Sequence, residues 1–370
     1  VFDAVVIGGG PAGSTAAWRL ARGGARVAVL DAARFPRTKL CAGWVTPRVW
    51  AALEIDPCSY PRTLQPFARA TLDLDGRARE TLWNHVVSYG IVRREFDHLL
   101  LDRARSAGAE VLEAARVSRI ERRGDGFVVA SARGEVAGRL IVGAAGHHCP
   151  VARTLGEVPA SESVVVTQES ETRLGRDCLA EFAPRPGVPE LFPEPDLRGY
   201  GWYFAKGDFL NIGIGALDDG RGLHRRTEAF LERLRNSGRL PARIAIEPLR
   251  GHAYALGTAG RRRVAGPGFF LAGDAAALAR SISGEGIGPA VETGRLAADY
   301  AMRRLGGGAE EGIAEGYRRE VVAAYGGATG RWSDLAARVP ARWVAALGRL
   351  VCKTAWLRRR LVFEAAFGMG

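Results

Sequence analysis

Three glycines in the spacing Gly8-x-Gly10-x-x-Gly13 constrain this chain more than any other feature. An apolar run, Asp3 to Ile7, precedes them, and a helix-like stretch with small residues on one side follows from Ser14 to Arg22. Gly23-Gly24 ends that stretch, and Arg26 to Leu30 reads as a second buried strand that stops at Asp31. Strand, glycine-rich turn, helix and second strand within about thirty residues make one βαβ unit. In such a unit Gly8 permits the tight turn, Gly10 lets backbone approach a pyrophosphate, and Gly13 lets helix and strand pack closely. Pro11 and Ala12 fall at the start of the helix, where free N–H groups and the positive dipole end favour phosphate. Asp31 is placed to accept from ribose hydroxyls. Glycines acting only as turn formers is the competing reading, and the acid at the end of the next strand weighs against it.

A second motif selects the cofactor. Phe269 to Ala272 reads as a buried strand, Gly273-Asp274 follows, and Ser283-Gly284-Glu285-Gly286-Ile287-Gly288 opens a long helix. In FAD-dependent oxidoreductases the aspartate of such a Gly-Asp pair meets the ribityl chain. Backbone N–H groups at the helix start can meet the N1/O2 edge of the flavin, and a helix N-terminus stabilises the anionic reduced ring. The order of the two motifs predicts FAD, held non-covalently, rather than NAD.

With these motifs in place, the chain resembles the geranylgeranyl reductase family of flavoproteins, within the wider class I hydroxylase-like fold. Four segments carry the resemblance, which spans residues 1 to about 305: Gly8–Gly13; Arg37-Thr-Lys-Leu-Cys41-Ala-Gly43; Tyr200-Gly-Trp-Tyr-Phe204-Ala-Lys-Gly-Asp208-Phe-Leu-Asn-Ile-Gly213; and Gly273-Asp274 with Gly284-Glu-Gly-Ile287. The third looks like the family's Tyr-x-Trp-x-Phe-Pro motif followed by Asn-Val-Gly. The resemblance implies reduction of isolated alkenes in isoprenoid chains, with electrons from NAD(P)H or a ferredoxin-like donor. It also implies cofactor contacts at Arg37, Arg93, Val117 and Gly146. Ala205 departs from the family's proline, and Ala42 and Trp44 interrupt the usual glycine pair after the cysteine. These changes bear on substrate identity rather than on FAD.

The implied substrate site rests on Cys41, Tyr200, Trp202 and Phe204. Residues 200–206 and 209–215 read as a hairpin turning at Lys206-Gly207-Asp208, so the three aromatics alternate onto one face. They could wall an apolar pocket over the flavin, or simply form a sheet core. Cys41 lies among basic residues that favour its thiolate; a small buried cysteine is the competing reading. Arg93 opens a helix and could touch FAD or pair with Asp97. His252 and Tyr254 alternate on a strand and could face the pocket or the core. His147, His148 and Cys149 are adjacent in a loop and converge poorly on one ion, so no metal site is expected.

Against oxygen chemistry stand Ala145, where related hydroxylases carry aspartate, and the lack of a Trp-x-Trp-x-Ile-Pro halogenase motif. An FAD-dependent monooxygenase or halogenase of the same fold stays open as the alternative. A flavin-bound carrier without turnover is the reading from another class.

The expected fold is α/β: a Rossmann-type FAD-binding domain (1–62, 91–157 and 258–308) interrupted by a β-rich substrate domain (63–90 and 158–257), then C-terminal helices (309–370). A formal net charge of +12 raises nucleic acid as a partner. The arginines are spread along the chain with no recognition motif, so a solvated surface, or attraction to anionic headgroups or phosphorylated substrates, is expected instead. Five cysteines without a C-x-x-C pair suit a reducing compartment. No leader or membrane-length apolar run is read, which predicts a cytoplasmic protein. The stretch from Trp332 to Phe367, apolar and arginine-rich, could contact the inner face of a membrane or pack on the protein's own body.

Overall fold

Five apolar strands lie parallel in the order Phe269–Leu271, Gly134–Gly143, Phe2–Ile7, Val27–Leu30 and Glu110–Leu112. Runs such as Ala4-Val5-Val6 and Val27–Leu30 are buried on both faces, as parallel strands covered by helices must be. In this computed structural model the described residues are 1–156, 158–159, 164–183, 185, 187–197, 199–216, 222–255, 262–280, 282–326 and 341–369. The first part of the tail, with Trp332, therefore lies outside them, as do residues 157 and 257 at the expected domain limits.

The chain leaves Phe2–Ile7 toward Val27–Leu30 on one side, and Gly134–Gly143 pairs with it on the other. The strand order thus reverses there, and open α/β sheets bind ligands in the crevice beyond the strand ends at that point. Helix Pro11–Arg22 starts in the crevice and helix Ile287–Leu305 packs against it. Two glycines allow the close approach: a Cβ on Gly13 would collide with the Gly8 carbonyl oxygen, and one on Gly294 with that of Ala12. Thr293 ties this helix to the last strand, its hydroxyl accepting from the Gly273 N–H at 2.9 Å.

The β-rich part is a seven-stranded sheet in the order Arg250–Ala255, Val164–Arg173, Phe209–Ala216, Gly199–Lys206, Glu190–Pro193, Arg69–Leu74 and Arg77–Leu82. The hairpin expected over 200–215 is present, closed by Gly207 at φ +58°. Helix Leu223–Asn236 covers one face, with the Phe230 ring against Gly201; a short helix, Arg176–Phe182, was not expected from the sequence. A three-stranded sheet pairs Trp44–Val45 and Leu64–Phe67 with Ser88–Ile91. It joins a segment assigned to the cofactor domain to one assigned to the substrate domain.

The C-terminal helices do not behave as one unit. Helix Glu310–Tyr325 belongs to the cofactor-domain core: Tyr317 is fully buried against Phe270 and Tyr300 and donates to the Leu271 carbonyl at 2.6 Å. Residues 341–369 instead pack on the seven-stranded sheet. Cys352, Phe363 and Met369 enter the cluster that holds Phe67, Trp83 and Phe204. Arg358 fastens them by donating to the Thr81 hydroxyl and the Glu80 carbonyl.

Candidate functional site

One cavity of about 690 Å³ runs from the crevice of the parallel sheet to the open face of the seven-stranded sheet. Its size lies in the range of small-molecule and cofactor sites, roughly 300–1,000 Å³.

At the sheet end, the turn after the first strand forms the wall. Gly8 has φ +107° and presses on Ala144, which leaves no room for a side chain. Gly10 is extended, and a Cβ there would meet only the Arg37 guanidinium, at 3.3 Å. Pro11 opens the helix, where its missing N–H costs nothing. Asp31 is fixed by two backbone donors, Gly9 N–H at 2.7 Å and Ala33 N–H at 2.8 Å, with the rest of its carboxylate toward the cavity. Arg37 pairs with Asp97 at 3.0 Å through one nitrogen, while its other terminal nitrogen is buried without a partner among the described residues. A buried unpaired guanidinium donor is costly, and a phosphate oxygen would satisfy it. The glycine cradle and this orphaned donor fit a dinucleotide.

On the opposite side, Asp274 and the turn Ser283–Ile287 face the same space. Gly284 has φ +65° and the Tyr254 hydroxyl rests on its Cα; Gly286 caps helix Ile287–Leu305. Burial raises the Asp274 carboxyl, opposed by Lys39 and Arg93. Arg93, Val117, Gly146 and Ala12 also line the cavity. Arg93 makes the pairing with Asp97, donating to it at 2.7 and 2.8 Å, and its guanidinium faces the Cys41 side chain. Gly13 and Gly273 are absent from the lining and act by packing, as above.

Cys41, Tyr200 and Trp202 reach the cavity together. The Tyr200 hydroxyl donates to the Ser283 carbonyl at 2.5 Å, which ties the hairpin to the Gly284 turn. Trp202 lies flat over Gly213, whose Cβ would enter the indole, and donates to Asn211 Oδ1 at 2.7 Å. Phe204 is on the same face but away from the cavity. Trp44 and Phe67 enclose it, at 5.8 and 5.7 Å between ring centroids. Alternation gives the face correctly, and Trp44 ends the cavity one step short of Phe204. His252 and Tyr254 both line the wall. Burial and the Lys39 ammonium, 2.9 Å away, push the His252 ring down to about 3, so it is neutral.

Several lining residues were not singled out from the sequence, Lys39, Glu169, Leu191 and Phe367, while Trp44, a departure after Cys41 that bears on the substrate, does line the cavity. Glu169 is only 3% exposed and lies against the Cys41 backbone. Burial pushes its carboxyl up to about 7, against Lys206 and with Glu171. Behind the wall, Lys206 is fully buried and donates to the Ala42 and Ile91 carbonyls at 2.8 and 2.7 Å and to Glu171 at 2.5 Å. Gly43, at φ +69°, is held between Ile91 and this ammonium. Among the described residues no cluster of three or more His, Cys, Asp or Glu side chains could hold a metal.

Comparison with known proteins bears on what this cavity holds. The chain matches the family described as FAD binding domain over residues 2–324. It is 34% identical over 321 residues to the menaquinone reductase of Mycolicibacterium smegmatis, covering 80% of this chain and 75% of that protein. It is 33% identical over 333 residues to the geranylgeranyl diphosphate reductase of Rhodobacter capsulatus, covering 83% and 76%. In fold it is similar to a geranylgeranyl bacteriochlorophyll reductase-like protein from Thermoplasma acidophilum, with a TM-score of 0.78 over 99% of this chain and 96% of the other, at 18% identity.

Proposed function

Because this chain belongs to the geranylgeranyl reductase family of FAD-dependent flavoproteins, we propose that it reduces carbon–carbon double bonds of an apolar isoprenoid substrate. The observation that carries this reading is the continuity of the cavity. A dinucleotide cradle leads without interruption to a wall of Trp44, Leu191, Trp202 and Phe367. Enclosing hydrocarbon there is worth about 0.8 kcal/mol per CH₂, or roughly 4 kcal/mol for a five-carbon unit.

In this reading Gly8, Gly10, Pro11 and Ala12 with Arg37 hold the pyrophosphate, and Asp31 the adenosine ribose. Asp274 takes the ribityl chain, and Gly284, Gly286 and Ile287 offer backbone N–H groups to the ring. Arg93, Val117 and Gly146 complete the enclosure. When bound, FAD supplies the electron pair and one of the two hydrogens that the double bond gains. The protein's own share is to bind the chain, exclude water and place an acid beside it. Cys41, on the loop that Lys206 ties through the Ala42 carbonyl, and the rings of Tyr200 and Trp202 fix the alkene against the cofactor; aromatic faces also favour positive charge developing on carbon.

Electrons reach the flavin from NAD(P)H or a ferredoxin-like protein. The substrate arrives from a membrane surface. No described helix is long and apolar enough to cross a membrane, but Leu347, Leu350, Trp356 and Leu361 are exposed between Arg349, Lys353, Arg359 and Arg360. Their segment carries Phe367, on the cavity wall. Apolar side chains flanked by cations suit an anionic bilayer surface.

The test is anaerobic. Holoenzyme reduced without oxygen should be re-oxidised by geranylgeranyl diphosphate or a menaquinone, with product gaining two hydrogens. Re-oxidation that requires O₂, with product gaining oxygen, would replace this reading by the monooxygenase alternative.

A further inference from the structure

We propose that Glu169 is the catalytic acid that protonates the substrate double bond. The inference rests on the alkene-reduction reading above and deepens it.

Four carboxyl groups line the cavity: Asp31, Glu169, Asp274 and Glu285. Asp31 is occupied by backbone donors at the far end. Glu285 is paired with Arg280 at 2.8 Å, and Asp274 lies in the cofactor motif with Gly286 against it. Glu169 differs from all three. It stands in the middle of strand Val164–Arg173, on the face that also presents Thr167 to the cavity. Directly across the sheet is Gly213, with the Trp202 indole over it. The next strand on the other side brings in His252 and Tyr254. The carboxyl therefore sits beside the aromatic wall and against the Cys41 backbone.

Other proton carriers on this wall are less suited. The Tyr200 hydroxyl is committed to the Ser283 carbonyl. The Tyr254 hydroxyl is pressed onto Gly284, and burial makes it a weaker acid than an ordinary tyrosine. His252 is neutral, with its Nε2 against Lys39. A buried carboxyl that titrates near neutrality is matched to proton donation at physiological pH. The groups facing Glu169 are Lys206 and Glu171 from the sheet, Arg93 from its helix, Cys41 from the loop and Tyr254 from the adjacent strand. Lys206, Arg93 and the Cys41 backbone all stabilise the carboxylate that donation leaves behind.

The step balances. The π pair of the alkene takes the Glu169 proton, forming one C–H bond. The second hydrogen and its electron pair come from reduced flavin, which ends oxidised. The Glu169 carboxylate regains a proton from solvent. An acid that must be protonated gives a rate that is high at low pH and falls as pH rises through about 7.

Glu169→Gln keeps the side-chain volume and a carbonyl oxygen toward the Cys41 backbone, but removes the proton. Glu169→Asp keeps the proton on a shorter arm. Holoenzymes of all three are reduced anaerobically and mixed with geranylgeranyl diphosphate and with a menaquinone. FAD content and the visible spectrum are recorded beforehand, and infrared difference spectra are taken between pH 5 and 9. With FAD content intact, Glu169→Gln should slow re-oxidation about a hundredfold or more, lose the alkaline fall in rate, and lose a carboxyl C=O band that titrates near neutrality in the wild type. Glu169→Asp should recover part of the rate and its pH dependence. A wild type that is re-oxidised while Glu169→Gln follows within about threefold overturns this role alone, as does an unchanged infrared band. A wild type inert toward both probes overturns the alkene-reduction reading and this role with it.

Discussion

Lys206→Met probes how the cavity wall is braced. The ammonium is wholly enclosed and donates to three acceptors on three pieces of chain: the Ala42 carbonyl in the cysteine loop, the Ile91 carbonyl in the three-stranded sheet, and Glu171 in the seven-stranded sheet. Methionine keeps the length and apolar packing of the stem and deletes all three donors. Each carbonyl left unpaired in the interior costs about 1–3 kcal/mol. Glu171 retains a long contact from Asn211, at 3.4 Å, and some solvent, its side chain being 23% exposed. Its loss is therefore the smaller part. The sum is about 3–5 kcal/mol, the usual cost of removing one partner of a buried pair. At roughly 2–4 °C per kcal/mol, the melting temperature should drop by on the order of 10 °C. Urea unfolding of the FAD-loaded protein measures the free energy, and a cycle with Glu171→Gln separates the pair from the carbonyls. In the Lys206→Met background, Glu171→Gln should cost less than it does alone, because the carboxylate has already lost its cation. A loss below about 1 kcal/mol for the single Lys206→Met variant, or strict additivity in the cycle, would refute this account of the wall.

The other expectations are narrower. Gly10→Val places a branched side chain where the crevice faces Arg37, so purified protein should be colourless; a yellow protein releasing FAD on denaturation would contradict the cradle. Trp202→Ala should leave FAD content intact and cut turnover, whereas Phe204→Ala, behind Trp44, should cost about 3–5 kcal/mol of stability and change substrate KM little. The pair is separated by denaturant midpoints and steady-state kinetics, and reversed assignments would sink the boundary drawn at Trp44. His252 has a folded pKa below its unfolded value, so the unfolded chain binds the extra proton between about 6.5 and about 3. Stability contributed by the neutral ring is present above that window and lost as pH falls through it. Glu169, raised by burial, acts in the opposite direction between its unfolded value of 4.5 and about 7. The informative quantity is therefore the difference between wild type and His252→Gln, which should narrow on acidification, and a constant gap would show that the ring is not held neutral.

The cofactor cradle was legible because its physics is local. Gly8 and Gly13 meet within one turn, where a Cβ on Gly13 would strike the Gly8 carbonyl, and Asp31 closes a unit that fits inside one sequence window. The hairpin face was legible from alternation, and Tyr200 with Trp202 followed from it. What alternation cannot supply is where a face stops being a wall and becomes core, because that limit is set by Trp44, from another part of the chain. Glu169 and Lys206 were illegible for the same reason. A glutamate in a strand and a lysine before Gly-Asp ordinarily face water, and only the third-dimension neighbours, Ala42, Ile91 and Glu171, make the lysine's burial tolerable. Helix Glu310–Tyr325 was assigned to a separate tail because its apolar spacing does not say which surface it covers.

The far wall of the cavity has one further consequence. Phe367 closes the apolar end from a segment that shares no strand with the cradle and touches Trp44 and Tyr200 only through ring contacts. A change in its size should alter the room at the apolar end and leave the glycines and arginines at the other end in place. Substrate range in this architecture can thus diversify through a peripheral lever, one that mutation can pull without first disarming the redox centre.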